Sequence, residues 1–142
     1  MITTKTGDNG WTGYGGKKVR KDNPIIEAIG ILDELQAVLS IINYQLRITN
    51  FRKIIVDIQK IMSGKKTEVN LDVEIKRLEE KVKPVNKFII FSNKKAIYLN
   101  WARTVTRRAE RRAMALKDKK ALEYLNRLSK FIYLKARETE EK

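Results

Sequence analysis

The sequence predicts an all-α protein: a five-helix bundle with a glycine-rich N-terminal loop. Three observations carry that prediction. Apolar residues recur at helical spacing in five successive stretches, and no stretch alternates convincingly as a strand would. Five of the seven glycines fall within the first 23 residues, ahead of every helical stretch. Helices without a sheet must bury their stripes on one another, which is a bundle.

In chain order, residues 1–23 read as loop with a short extended start. Asp22 and Asn23 are good capping residues and Pro24 suits a first helical position, so a helix runs from Pro24 to about Arg47. Its apolar residues (Ile25, Ile26, Ile29, Leu32, Leu35, Val38, Leu39 and Ile42) cover more than one stripe, which places it inside a bundle or at a subunit interface. A second helix is expected from Asn50 to about Met62, with Ile54, Ile55, Ile58 and Ile61 on one face. Ser63 to Lys66 is a polar break. A third helix is expected from about Leu71 to Lys83, stopping before Pro84. Phe88-Ile89-Ile90-Phe91 is apolar and too short to distinguish a strand from a buried turn. Ser92 or Asn93 can cap a long helix from Lys94 to about Leu116. The last helix spans roughly Lys119 to Glu138, with Leu122, Leu125, Leu128, Ile132 and Ala136 in its stripe. There is no internal repeat. The expected organisation is one domain over residues 1–142: a loop over 1–23 and a helical bundle over 24–142.

A chain of 142 residues with 42% hydrophobic and 34% charged residues can bury a core and is not compositionally disordered. No apolar run approaches the roughly 18 residues needed to span a bilayer, and no signal-peptide pattern opens the chain, so a cytoplasmic protein away from the membrane is expected. Cysteine and histidine are both absent. That excludes disulfides, thiolate nucleophiles, imidazole bases and Cys- or His-ligated metals. Chemistry must run on Arg, Lys, Asp, Glu, hydroxyls and backbone amides. The net charge of +14 favours an anionic partner: nucleic acid, an anionic surface or a polyphosphate. A solvated lysine-rich surface explains part of the excess.

Three constellations stand out. Thr3, Thr4, Lys5, Thr6, Gly7 and Asp8, followed by Gly10, Gly13, Gly15, Gly16, Lys17, Lys18 and Lys21, suit phosphate: glycines admit an anion to the backbone N–H groups, hydroxyls donate, and lysines add charge. The spacing is not that of a P-loop, and read alone this stretch favours a flexible basic tail over a phosphate site. On the fourth helix, Arg103, Arg107, Glu110 and Arg111 share a face, and five arginines fall between positions 103 and 112. Guanidinium groups on successive turns make a charged surface for phosphate or carboxylate oxygens, and one acid among them leaves self-neutralisation poor. Third, Asp33 has Ile29, Gly30, Gln36 and Ala37 as helical neighbours. A carboxylate in such a patch calls for a partner, for which an arginine of the cluster is the candidate, although plain surface acid is the other reading.

In combination these segments resemble the ATP:cob(I)alamin adenosyltransferases of the propanediol-utilisation type. The matching pieces are Thr4-Lys5-Thr6-Gly7-Asp8 with Gly10 and Thr12; Val19-Arg20-Lys21-Asp22; Glu27-Ala28-Ile29-Gly30 leading into Leu32-Asp33-Glu34-Leu35; Ala102 through Arg111; and Tyr124-Leu125-Asn126-Arg127-Leu128-Ser129. They stand in the family's order over nearly the whole chain. The resemblance implies a five-helix bundle forming a homotrimer with active sites between subunits. ATP and a corrinoid would be the substrates, with Mg2+ carried on the ATP phosphates. A reductase would supply the electron and an adenosylcobalamin-dependent mutase would receive the product.

The resemblance also implies site residues. Thr4, Lys5, Thr6, Gly7, Asp8, Gly15, Gly16 and Lys21 would wrap the triphosphate, and Arg107, Glu110, Arg111 and Asn126 would complete the ATP site. Asp33 and Arg103 would pair across the interface and close the cobalamin pocket, with Phe88 beneath the cobalt. Arg107, Asp33 and Arg103 would stand closest to catalysis. Cobalt would be the nucleophile, so no His or Cys base is needed. The chain departs from the family in places. Phe91-Ser92-Asn93 replaces a usual Pro-Gly-Gly turn, Asn100 a frequent histidine and Lys130 a usual acid, and the middle of the chain is short. Two other readings use the same residues: a helical nucleic-acid-binding module built on the arginine helix with Trp11 or Trp101 stacking on bases, and a non-catalytic ATP or cobalamin carrier. Asp33 separates the first of these from the enzyme, because nucleic-acid binding gives no reason for an acid opposite the arginines.

Overall fold

Helix starts are fixed by short polar side chains that the sequence supplies. In the computed structural model, which describes residues 4–142 and so leaves Thr3 outside, α1 spans Pro24–Leu46. Asn23 Oδ1 accepts from the Ile25 N–H at 2.9 Å, with Pro24 at the first helical position. Helix α2 (Phe51–Met62) follows a tight connection in which Arg47 and Asn50 both take positive φ, 49° and 71°. Asn70 caps α3 (Leu71–Glu79), Asn93 caps α4 (Lys94–Ala113), and Asp118 caps α5 (Lys119–Glu141). Of the two cap candidates before α4, Asn93 is the one used: its Oδ1 accepts from the Lys95 and Ala96 N–H groups. Helix α3 ends before the expected Lys83, α4 runs into a 3-10 turn over Met114–Leu116, and α5 continues past Glu138.

Helix α4 lies between α1 and α5, with α2 packed on α1 and α3 on α5. Leu32, Leu35, Leu39 and Ile42 of α1 meet Ile54 and Ile58 of α2, Leu99 of α4, and Leu125, Leu128 and Ile132 of α5 in one fully buried core. Phe51 and Phe131 tilt together at 6.3 Å between α2 and α5. The wider apolar surface of α1 is left over: Ile25, Ile26 and Ile29 are half-buried, while Ile41 and Tyr44 are exposed.

One buried acid escapes any periodicity argument. Asp57, only 1% exposed, accepts from the Glu68 and Val69 N–H groups at 2.8 and 2.9 Å and from the Tyr124 hydroxyl at 2.8 Å. It fastens the α2–α3 connection to α2 and α5. Burial, followed by the Asp57 hydrogen bond, pushes the Tyr124 hydroxyl well above the usual phenol range.

The N-terminal expectation needs correction. Residues expected to form loop contain an antiparallel hairpin, β1 (Trp11–Tyr14) and β2 (Lys17–Arg20), paired from Trp11 opposite Arg20 to Tyr14 opposite Lys17. Gly15 and Gly16 make its two-residue turn at φ 57° and 77°. Positive φ at both turn positions matches the twist of paired strands, and glycine takes it without steric cost. Glycine-rich spacing hid the hairpin because β1 is half exposed and presents no apolar alternation.

Candidate active site

The hairpin and its lead-in gather several of the expected phosphate-binding groups. The Asp8 N–H donates to the Lys5 carbonyl and the Gly10 N–H to the Gly7 carbonyl, both at 3.2 Å, so residues 5–10 form consecutive turns. Lys5 takes φ 60° there. A Cβ on Gly7 would stand 2.9 Å from Lys21 Nζ, so the bare glycine backbone and the ammonium approach one another. The Lys21 N–H closes the base of the hairpin on the Gly10 carbonyl at 2.8 Å. Thr4 and Thr6 hydroxyls lie 2.9 Å apart. At the same end of β2, Arg20 pairs with Asp22 at 3.0 Å and sits over the Trp11 ring at 5.9 Å. Hydrogen bonds from Arg20 hold the Asp22 carboxyl below its ordinary range.

The arginine helix divides into two faces. Arg108 pairs with Glu34 at 2.8 Å and Arg112 with Glu27, so two of the five guanidiniums tie α4 to α1. The expectation of poor self-neutralisation is corrected to that extent: the acids come from a neighbouring helix. Arg107 and Arg111 remain exposed, and Arg107 Nη1 stands 3.9 Å from Glu110 Oε2. That oxygen is buried and has no hydrogen-bond partner among the described residues. A carboxylate oxygen removed from water without a donor marks a position that a further group completes.

A cavity of about 410 Å³ opens where the α3–α4 connection meets α4 and α5. Phe88, Phe91, Asn100, Arg103 and Tyr133 are among its lining residues. Phe88 is fully exposed at its edge, while Phe91 turns inward with its ring edge-on to Tyr133, centroids 6.5 Å apart. The Arg103 Nε donates to Asn100 Oδ1 at 2.9 Å. Phe88 and Arg103, expected at one pocket from the resemblance, do line one cavity. The apolar run 88–91 is neither a strand nor a buried turn: it has no regular secondary structure, and only Phe91 is buried.

Two expected residues stand apart within the single chain. Asp33 is exposed, its neighbours Gly30 and Ala37 being exposed as well, and it does not meet Arg103. Asn126 lies in a separate hollow with Asp72, Ile75, Arg127 and Lys130. Sequence reasoning did not single out Tyr133, Arg137 or Glu140, whose roles depend on which loop α5 faces. The only available signal was their spacing at i, i+4 and i+7 on the last helix.

The sequence profile of cobalamin adenosyltransferases matches residues 2–139. The chain belongs to that family. It is 33% identical to the corrinoid adenosyltransferase PduO of Salmonella typhimurium, over 96% of this chain and 48% of that protein. The chain thus spans about half the length of that relative. With a corrinoid adenosyltransferase of Citrobacter freundii it shares 32% identity over 96% of this chain and 93% of the other. The Bacillus subtilis protein of that name is also 32% identical, with 84% of its length covered. Among solved structures, a variant PduO-type ATP:corrinoid adenosyltransferase from Lactobacillus reuteri, complexed with cobalamin and ATP, superposes with a TM-score of 0.86 at 25% identity. That match covers 99% of this chain and 91% of the other. A second variant of that family, complexed with ATP, gives 0.85 at 26% identity and covers 99% and 94% of the two chains. The alignment with the Salmonella protein runs over 163 positions, more than this chain's 142 residues, so this family member lacks residues that its relative carries.

Proposed function

We propose that this chain transfers the 5′-deoxyadenosyl group of ATP to the cobalt of a reduced corrinoid. The observation that carries the reading is the fold match over 99% of the chain to a protein complexed with both cobalamin and ATP. The local chemistry supports it. The N-terminal turns offer backbone N–H groups, Thr4 and Thr6 hydroxyls, Lys5 and Lys21 to a triphosphate, with Gly15 and Gly16 shaping the hairpin beside them. Arg107 and Arg111 offer guanidiniums, and the orphaned Glu110 oxygen gains a donor when the nucleotide or a second subunit arrives. Mg2+ would travel on the ATP phosphates, as the family resemblance implies.

In the reaction, the Co(I) electron pair forms the Co–C bond at C5′. The C5′–O bond breaks, and triphosphate leaves with the electron pair of that broken bond. The side chains position ATP and neutralise the leaving charge, a task without a protein base. The exposed Ile41 and Tyr44 on α1 and Ile97 and Trp101 on α4 support a further copy of the chain against this face, in a homotrimer. There Asp33 of one subunit would meet Arg103 of the next, Asn126 would join the ATP site, and Phe88 would lie under the corrinoid. The setting is the cytoplasm, where a reductase supplies Co(I) and a mutase takes the product; among the described residues no helix is long and apolar enough to cross a membrane.

The test is anaerobic. Protein, ATP, Mg2+ and cob(I)alamin are mixed, and the absorbance change to adenosylcobalamin is followed with triphosphate release. One product per triphosphate is expected. No turnover, together with salt-sensitive binding of single-stranded nucleic acid, would overturn the proposal in favour of the nucleic-acid reading.

A further inference from the structure

The connection from α3 to α4 is held in an unusual way. Among the described residues no backbone–backbone hydrogen bond involves positions 83–92. The segment is instead gripped at both ends by α5. Arg137 Nη2 donates to the Lys83 carbonyl at 2.6 Å. Glu140 Oε1 accepts from the Ser92 N–H at 2.8 Å and the Ser92 hydroxyl at 2.6 Å, and its Oε2 accepts from the Asn93 N–H at 2.8 Å. Between these grips, Tyr133 meets Phe91 edge-on, and Arg137 stacks over Tyr133 at 5.9 Å. Tyr133, Arg137 and Glu140 are spaced i, i+4 and i+7, one stripe of one helix. Arg137 is 5% exposed and is itself steadied by Glu141 at 3.0 Å.

The two ends of the segment therefore meet side chains about one helical turn apart, and the residues between bulge out as a loop with a closed neck. Phe88 sits near its midpoint. Along the exit strand of the loop, side chains alternate: Phe88 and Ile90 are exposed, Ile89 and Phe91 turn inward. Alternation of this kind has a register, and a slip of one residue would bury Phe88 and expose Phe91. With no ladder to set that register, the neck sets it.

We infer that the Tyr133–Arg137–Glu140 stripe is a positioning device for the corrinoid-facing wall: it closes the neck of the 83–92 loop and so fixes Phe88 outward at the cavity edge. None of the three is a catalytic residue; they act through the loop. The inference rests on the proposed function for what Phe88 faces, and on the hydrogen bonds and ring contact of α5 alone for the clamp. Of the three groups that Glu140 holds, the Ser92 hydroxyl is the one that a Pro-Gly-Gly turn, expected here from the resemblance, would not supply.

The test compares Glu140→Ala and Glu140→Asp with Asp118→Ala, which loses the cap at the far end of α5 and serves as a control for general loosening. In the Glu140→Ala protein the KM for cob(I)alamin should rise about tenfold or more while the KM for ATP stays within about twofold, as expected for a misplaced wall on one side of the site. Glu140→Asp should recover part of the loss, and Asp118→Ala should leave the ratio of the two KM values unchanged. Equal effects on both substrates, or the same ratio change in Asp118→Ala, would overturn the inference. Limited trypsin digestion reads the clamp without activity: cleavage after Lys87 should accelerate in Glu140→Ala with the bundle's circular dichroism intact. If the unmodified protein turns nothing over, the proposed function fails and digestion still decides the clamp. Unchanged cleavage after Lys87 would then reject it.

Discussion

The N-terminal hairpin and the 83–92 loop face the two proposed substrates by opposite means. The hairpin satisfies its own backbone through a short ladder and a glycine turn, and its strands pack chiefly on each other. The loop satisfies none of its backbone with backbone, and three side chains of α5 hold it. A self-bonded ribbon with little body contact can move as a unit and close over a ligand, whereas a loop pinned at its neck is set before any ligand arrives. The contrast assigns the ordering cost of catalysis to the ATP side and preorganisation to the corrinoid side.

The largest effect should come from removing charge from the exposed arginine face of α4. Arg107→Ala should lower kcat/KM for ATP by roughly a hundredfold or more. Its Tm should hardly move, because Arg107 is exposed and its contact to Glu110 is long. A large fall in Tm with near-normal ATP dependence would show that Arg107 serves the scaffold.

A smaller effect should follow from stiffening the hairpin turn wrongly. Gly16→Val places a β-branched residue at φ 77°, at a cost of ~1–2 kcal/mol confined to the hairpin. The KM for ATP should rise about three- to tenfold, with cob(I)alamin KM and global Tm unchanged. A matching fall in Tm would show that the hairpin is part of the cooperative body.

The smallest effect separates the two regions by acid. Asp22 in the hairpin base and Glu140 in the loop neck both have depressed carboxyl pKa values, through hydrogen bonds from Arg20 and from Ser92 and Asn93 respectively. A carboxyl depressed on folding stabilises the native state above its unfolded pKa, and the contribution is lost as pH falls through the folded value. Tm should therefore decline on acidification below about pH 4.5. Glu140→Gln and Asp22→Asn should each flatten part of that decline, Asp22→Asn the less because the hairpin packs chiefly on itself, as followed by thermal melts from pH 6 to pH 3.

What the sequence made legible follows from where local rules apply. Apolar spacing with Asn23, Pro24 and Asn93 placed helix starts within a residue or so, because caps and periodicity are local. The hairpin stayed hidden because a solvated ribbon has no buried face to print a pattern. The arginine face was legible as a cluster, but its split into Arg108 and Arg112 bound to α1 and Arg107 and Arg111 left exposed depends on how two distant helices lie together. Phe88 and Arg103 reached one cavity through the resemblance, not through spacing. Asp57, Arg137 and Glu140 were illegible for one shared reason: each polar side chain answers backbone groups of another part of the chain.

Asp57 changes what the connection between α2 and α3 can tolerate. By position it is an exposed, irregular linker, the kind of place where extra sequence is usually accommodated. Yet Glu68 and Val69 are bonded to a buried carboxylate that also receives Tyr124 from the far side of the core. Lengthening the chain at residues 67–69 would pull those amides away and leave the buried acid two of its three donors short, while residues 63–66 carry no such tie to Asp57. Within one short linker, a graft or a tag has a permissive half and a forbidden half, and the boundary is drawn by a residue on the preceding helix.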